Sequence, residues 1–285
     1  MRKSIYILAS VAVILSACQK QEGTLPGNDS SPYAVLGTFI PELPYDSDCD
    51  VTVRFSANSA TTELFYFVEK TAEKEARKLS NDAYAQYVID NGVKVTTSVS
   101  AFDGAQIADV TLVSLYGDNT ISAVAVSANK KYLTSTTFFG QQWNTVATGT
   151  YYLSAPAAFS GIMGVNVVED VELQQNEDDE KLFRFKNLFD AGKHLNIVLL
   201  PDYQGEDEDG TYTFFRIPAQ STAHTYASYG DVSIRDIGYW QGDDEFVLSY
   251  GYESGMYEDY SCFIFAQLYV SAGNLGYGYS YFIPE

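Results

Sequence analysis

From residue 35 to residue 282 the chain is written in short runs that alternate apolar and polar residues, separated by glycine, asparagine and acidic turns. Alternation of period two sends successive side chains to opposite faces of a strand, so each run reads as a half-buried antiparallel strand. Val51, Val53 and Phe55 share one face, and Leu64, Tyr66 and Val68 another. Val93, Val95, Thr97 and Val99 form a third run, Val110, Leu112 and Leu115 a fourth, and Ile121, Ala123 and Ala125 a fifth. After the linker Gly140-Gln141-Gln142, further runs follow at Val165–Leu173, Leu182–Phe185, Leu195–Leu200, Tyr212–Ile217, Gly230–Ile237, Glu245–Tyr252, Ser261–Tyr269 and Gly276–Phe282. The expected fold class is all-β, with two β-sandwich domains over residues 35–140 and 141–285. The second is expected to be a sandwich or jelly-roll.

One segment breaks the alternation. Ala72, Ala76, Leu79, Ala83, Tyr87 and Val88 recur every three or four residues, which predicts one or two short helices laid over the first sandwich. Ser80-Asn81-Asp82 supplies an N-cap and Gly92 a stop.

The N-terminus has a different character. Met1-Arg2-Lys3 is basic, Ser4 to Ile14 is largely apolar, and Leu15-Ser16-Ala17 ends in small residues before Cys18. This is the layout of a signal peptide, and Leu-Ser-Ala-Cys resembles the bacterial lipobox. The resemblance implies cleavage after residue 17 and a lipid on Cys18. The membrane is then a partner through acyl chains, each CH₂ of which contributes roughly 0.8 kcal/mol on burial. Residues 18–34 read as a polar tether. Gln19 in place of aspartate does not suggest retention at an inner membrane by the rule known for enteric bacteria, and Lys20 and Glu22 resemble the charged surface-export signals of Bacteroidota-type lipoproteins.

Two further stretches resemble modules of that group. Leu115, Gly117, Asn119 and Ile121 fall where a fibronectin type III-like module carries its strand-entry motif, and Ile121 to Tyr132 resembles its last two strands. Glycine replaces the motif's proline, and Ile121 replaces its corner tyrosine. Trp143 to Tyr152 resembles the opening of C-terminal β-domains in the same lipoproteins.

Charge narrows the function. Without residues 1–17 the mature net charge is −22, of which residues 141–285 carry −16. Such a surface repels phosphates, so nucleic acid is excluded as a partner. The chain carries no nucleophile elbow, zinc-binding His-Glu-x-x-His, phosphate loop or Cys-x-x-Cys. His194 and His224 are the only histidines, and neither sits beside a recognisable nucleophile. The expectation is a non-catalytic protein, although a carboxylate pair of the glycosidase type needs only two acids at the right separation across a cleft. Cys49 and Cys262 are read either as a disulfide or as small buried hydrophobes.

Two acidic runs, Glu177-Asp178-Asp179-Glu180 and Glu206-Asp207-Glu208-Asp209, lie between strands. Each reads as a solvated turn, or as a Ca²⁺ loop because hard cations take several oxygens from one flexible segment. Asp202, Asp207 and Asp209 are the ligands expected for that ion. Eleven tyrosines lie between Tyr226 and Tyr281. Rings beside carboxylates are the ordinary physics of sugar binding. Tyr239, Trp240, Asp243 and Asp244, with Tyr250 and Tyr252, form the candidate ligand cluster. Tyr277, Tyr279 and Tyr281 alternate with small residues and suit a strand whose rings cover glycines. A glycan is the expected ligand, and another surface protein the alternative.

Overall fold

The computed structural model describes residues 31–100, 105–153, 161–238 and 244–285. The chain divides into two compact units. The first takes residues up to Thr38 with Val53–Val110 and Thr120–Thr137. The second takes Phe39–Thr52, Thr111–Asn119 and Phe138–Glu285.

The first half of the chain holds β1 (Ala34–Phe39), β2 (Val51–Ala57), β3 (Glu63–Lys70), α1 (Thr71–Arg77) and α2 (Asn81–Asn91). It continues through β4 (Val93–Lys94), β5 (Ser98–Val99), β6 (Gln106–Leu112), β7 (Gly117–Ser127) and β8 (Lys130–Gly140). These strands make two antiparallel sheets, ordered β1-β2-β6-β5 and β4-β3-β7-β8. Phe55 on β2 and Tyr66 on β3 bring their rings within 5.2 Å. Strand β7 is buried on both faces. Ile121, Ala123 and Ala125 fill one side, and Val124 on the other meets Tyr84, Ala85 and Val88 of α2. The helical insert is therefore two helices, with the predicted ends. Ser80 Oγ accepts from the Ala83 amide at 3.3 Å. At Gly92 a side chain would collide with the carbonyl oxygens of Tyr66 and Val88.

The run Val93–Val99 does not make the single strand expected. β4 belongs to the second sheet and β5 to the first. Between them Val95 is buried and donates its amide to Leu64 O at 2.8 Å. Alternation continues through the crossing, so the pattern alone does not show the change of sheet.

The second half holds β9 (Trp143–Tyr152), β10 (Val167–Asn176), β11 (Leu182–Asp190), β12 (Lys193–Asp207) and β13 (Gly210–Arg216). It continues with β14 (Gln220–Thr225), β15 (Asp231–Arg235), α3 (Asp244–Tyr250), β16 (Ser254–Tyr257), β17 (Cys262–Val270) and β18 (Gly273–Pro284). The order β17-β16-β13-β12-β11-β10-β9-β18 closes on itself because β18 also pairs with β17. The result is an antiparallel barrel of eight strands, not the sandwich or jelly-roll expected. β15 joins the far end of β17 and carries β14 on its outer edge.

The barrel interior is apolar. Phe185 lies at its centre, edge-on to Tyr151 and Phe282, each at 5.2 Å. Closure happens where the first strand meets the last, with Tyr281 opposite Tyr152 and Pro284 opposite Gly149. A side chain on Gly149 would strike Ile283 O and the Pro284 backbone, so glycine permits the seam. The stretch Glu245–Tyr252 is mostly helix α3 rather than a strand. Phe246-Val247-Leu248 is a continuous apolar run, which suits either period. Cys49 and Cys262 are both free and buried. Burial pushes the Cys49 thiol up to about 12, with Asp46 and Asp50 adding to the effect.

Candidate functional site

On β17, Cys262, Ile264, Ala266, Leu268 and Val270 point into the barrel core. Period two therefore places Phe263, Phe265, Gln267 and Tyr269 on the outer face. Neighbouring strands continue the row in register. Arg235 on β15 lies opposite Gln267, and Gln267 lies opposite Tyr277 on β18. A groove of about 540 Å³ opens here, lined by Arg235, Ile237, Gln267, Tyr269, Asn274 and Tyr277 among others. Its volume suits a small ligand. Arg235 Nε donates to Gln267 Oε1 at 2.9 Å, and the guanidinium carbon sits 4.2 Å from the centre of the Tyr269 ring. Tyr277 is 48% exposed, which leaves its ring open to stack on a ligand.

The aromatic surface runs on from the groove along the outer barrel face. Phe265 faces Tyr279, and Phe263 faces Tyr281. Tyr212 stands edge-on to Phe263 at 4.8 Å and to Tyr257 at 5.5 Å. Gly255 lies beneath Phe263 and Tyr212, whose rings occupy the space a side chain would need. The β18 tyrosines thus join an outer aromatic face, but their register partners are Gln267, Phe265 and Phe263 rather than the glycines expected, and Gly255 is covered by Phe263 and Tyr212.

The residues proposed from sequence fall into three groups. Cys18, Tyr239, Trp240 and Asp243 lie outside the described residues. Asp244 opens α3, and Tyr250 ends it, 65% exposed. Tyr252 stacks on Phe265 at 5.3 Å, so its ring covers the barrel.

The structure does not gather Asp202, Asp207 and Asp209. Asp207 Oδ1 accepts from the amides of Asp209 and Gly210, closing the β12–β13 turn. Its Oδ2 accepts from Tyr257 at 2.6 Å. Asp202 lies five residues up strand β12, roughly 16 Å away at strand rise. The other acidic run is a turn of the same kind, with Asn176 Oδ1 accepting from the amides of Asp178 and Asp179.

Among the described residues, the one group of three or more His, Cys, Asp or Glu with donor atoms close enough to share an ion is Asp46, Asp48 and His194. Its chemistry does not fit a metal. Arg184 Nη1 already holds Asp48 at 2.6 Å and Asp46 at 3.0 Å. His194 Nδ1 accepts from the Asn187 amide at 2.9 Å, so the ring proton sits on Nε2. A ligating histidine needs the reverse arrangement. Nε2 lies 3.1 Å from Asp46 Oδ1 but off the line of a hydrogen bond, so that contact is electrostatic.

This network holds the Asp46 loop to the barrel. Burial opposes the Asp46 charge, but His194, Arg184 and the Asp48 amide together lower its pKa to about 2. A carboxyl depressed in this way stabilises the fold above its unfolded value near 4 and stops doing so as pH falls through 2. Wild type is expected to exceed Asp46→Asn by on the order of 1–2 kcal/mol above pH 4, with the advantage shrinking toward pH 2. Paired urea titrations at pH 5 and 2.5 check this, and an equal difference at both would refute it.

Other recesses are less suited to a ligand. The groove of about 680 Å³ beside α1 and β8 has its central polar groups engaged. Lys74 Nζ bonds Ser135 Oγ and lies over the Tyr84 ring, and Tyr84 Oη bonds Glu69. An open recess of about 660 Å³ at the barrel end is lined by Asp209, Glu258 and Asp259. No family model matches the chain. No curated protein matches it either. A solved structure of a Kfla1895 mutant in complex with cyclobis-(1->6)-alpha-nigerosyl has a TM-score of 0.21 and 13% identity to this chain. The match covers 82% of this chain but only 29% of that one, and so loose a similarity decides neither fold nor ligand.

Proposed function

We propose that this chain is a lipid-anchored cell-surface protein that binds carbohydrate without transforming it, as an accessory to glycan uptake. The observation that carries the reading is the groove in which Tyr269 and Tyr277 flank Arg235 and Gln267. Rings that stack on sugar faces, beside planar polar groups that meet hydroxyls, are what a saccharide site requires. The Leu-Ser-Ala-Cys18 segment supports the anchor and an outer-membrane location. Among the described residues no helix is long and apolar enough to cross a membrane. The sheet orders β1-β2-β6-β5 and β4-β3-β7-β8 match the A-B-E-D and C′-C-F-G arrangement of immunoglobulin-like and fibronectin III-like modules. In this reading that module is a spacer.

A glycan array tests the proposal. Tyr277→Ala is expected to weaken binding to the best glycan by about tenfold, the loss of one stacking ring. Binding that survives Tyr277→Ala and Tyr269→Ala unchanged places the site elsewhere. A blank array favours the second reading, adhesion to another protein. The exposed row Tyr152, Tyr281 and Ile283 on the barrel favours that reading, being 39%, 44% and 53% exposed.

A further inference from the structure

We propose that the groove selects saccharides bearing a carboxylate, such as uronic or sialic acid units, and that Arg235 reads the acid. The proposal rests on the carbohydrate reading above and narrows it to a ligand class. Arginine is scarce here, with six in a chain of net charge −20, of which Arg2 lies outside the described residues. Arg54, Arg77, Arg184 and Arg216 hold carboxylates at 2.7, 2.8, 2.6 and 2.8 Å. Arg235 is the exception: among the described residues no carboxylate lies within ion-pair distance of it. Its fixed contacts are the Tyr269 ring and Gln267 Oε1. In so acidic a protein, an arginine that no acid among the described residues has claimed leaves room for an acid brought by the ligand.

The surroundings favour the same ligand. No acidic side chain is among the described residues that line this groove, whereas three acids line the recess at the barrel end. An anion is repelled there and meets no such side chain among the described residues here. Stacking on Tyr269 and the bond from Nε to Gln267 fix the plane of the guanidinium. Only one of its five N–H donors is used in that bond, and the Nη pair matches the two oxygens of a carboxylate. Arg235 is half-buried, which strengthens such a bond over its value in open water. Arg235 and Tyr277 flank Gln267 on opposite neighbouring strands. They are therefore about 10 Å apart, the span of a disaccharide. Arg235 can hold the acid of one unit while Tyr277 stacks on the next.

Calorimetry on the full chain tests this with uronic-acid and sialic-acid oligosaccharides, each beside its methyl ester, which keeps the shape and removes the charge. The acid form is expected to bind roughly 10–100-fold tighter than its ester, the range of a charge-assisted bidentate contact. Arg235→Gln should erase the difference. Arg235→Lys, which keeps the charge but not the fork, should recover only part of it. The ester comparison uses wild-type protein, so it stands even if a variant misfolds. An acid and its ester bound equally would overturn the proposal and leave carbohydrate binding intact. Failure to bind any member, together with a blank neutral array, would remove both. Glutamate-rich peptides bound more tightly than any saccharide would also overturn it, in favour of a protein partner.

Discussion

Replacing Arg184 with methionine is expected to cost about 3–5 kcal/mol of stability, the usual loss when one partner of a buried ion pair is removed. The side chain is 5% exposed. It serves two carboxylates, lies over the Trp143 ring at 4.5 Å, and donates from Nε to Gln174 Oε1 at 2.9 Å. Methionine keeps most of the volume but leaves Asp46 and Asp48 facing one another without a counter-charge. Arg184→Lys should recover little, because a point charge cannot meet Asp46, Asp48 and Gln174 together. For a chain of this size such a loss lowers the melting temperature by roughly 10 °C. Denaturant unfolding of the three proteins decides it, and a loss below 1 kcal/mol for Arg184→Met would show that the network is not holding the loop.

Asp236→Ala is expected to cost a similar 3–5 kcal/mol and to weaken the groove as well. Asp236 is 1% exposed and grips Arg216 at 2.8 and 2.9 Å through both oxygens. Its Oδ2 also accepts the Ile217 amide at 2.7 Å, while its own amide donates to Ile217 O at 3.0 Å. The end of β15 is tied to the end of β13 through this one residue, and Arg235 is its neighbour in the chain. Arg216→Met paired with Asp236→Leu should be far milder than Asp236→Ala, since apolar replacement of both partners leaves no stranded charge. Comparing the two by calorimetric unfolding separates these outcomes. A double variant as unstable as the single one would mean that the bonds to Ile217, rather than the ion pair, carry the effect.

Local features were legible in the residues. The two helices, the Ser80 cap, most strands and the turn character of both acidic runs depend on neighbours in sequence, and each has a local signature. The candidate groove had none. Arg235, Gln267, Tyr269 and Tyr277 come from three strands spread over 43 positions, and no spacing announces that β15 and β18 flank β17. The available clue was the scarcity of arginine in an acidic chain, which makes each one's partner worth asking about. Trp240 drew attention as a tryptophan beside two acids, and its segment lies outside the described residues. The calcium reading treated closeness in sequence as closeness in space, but the extended β12 carries Asp202 away from the turn.

Alternation and turn chemistry by themselves determined that this chain is β-rich, where most of its strands lie, and that a helical insert interrupts the first half. They did not determine whether the second half stacks two sheets or curls into one, since a sandwich and a barrel use the same inward-outward rhythm. That choice belongs to the pairing of β18 with both β9 and β17, contacts between residues far apart in the chain. The pairing of β17 with β15 on one side and β18 on the other places an arginine, a glutamine and two tyrosines on one outer face. Side-chain period is a local property of the backbone, whereas strand neighbours are set by which surfaces bury best together.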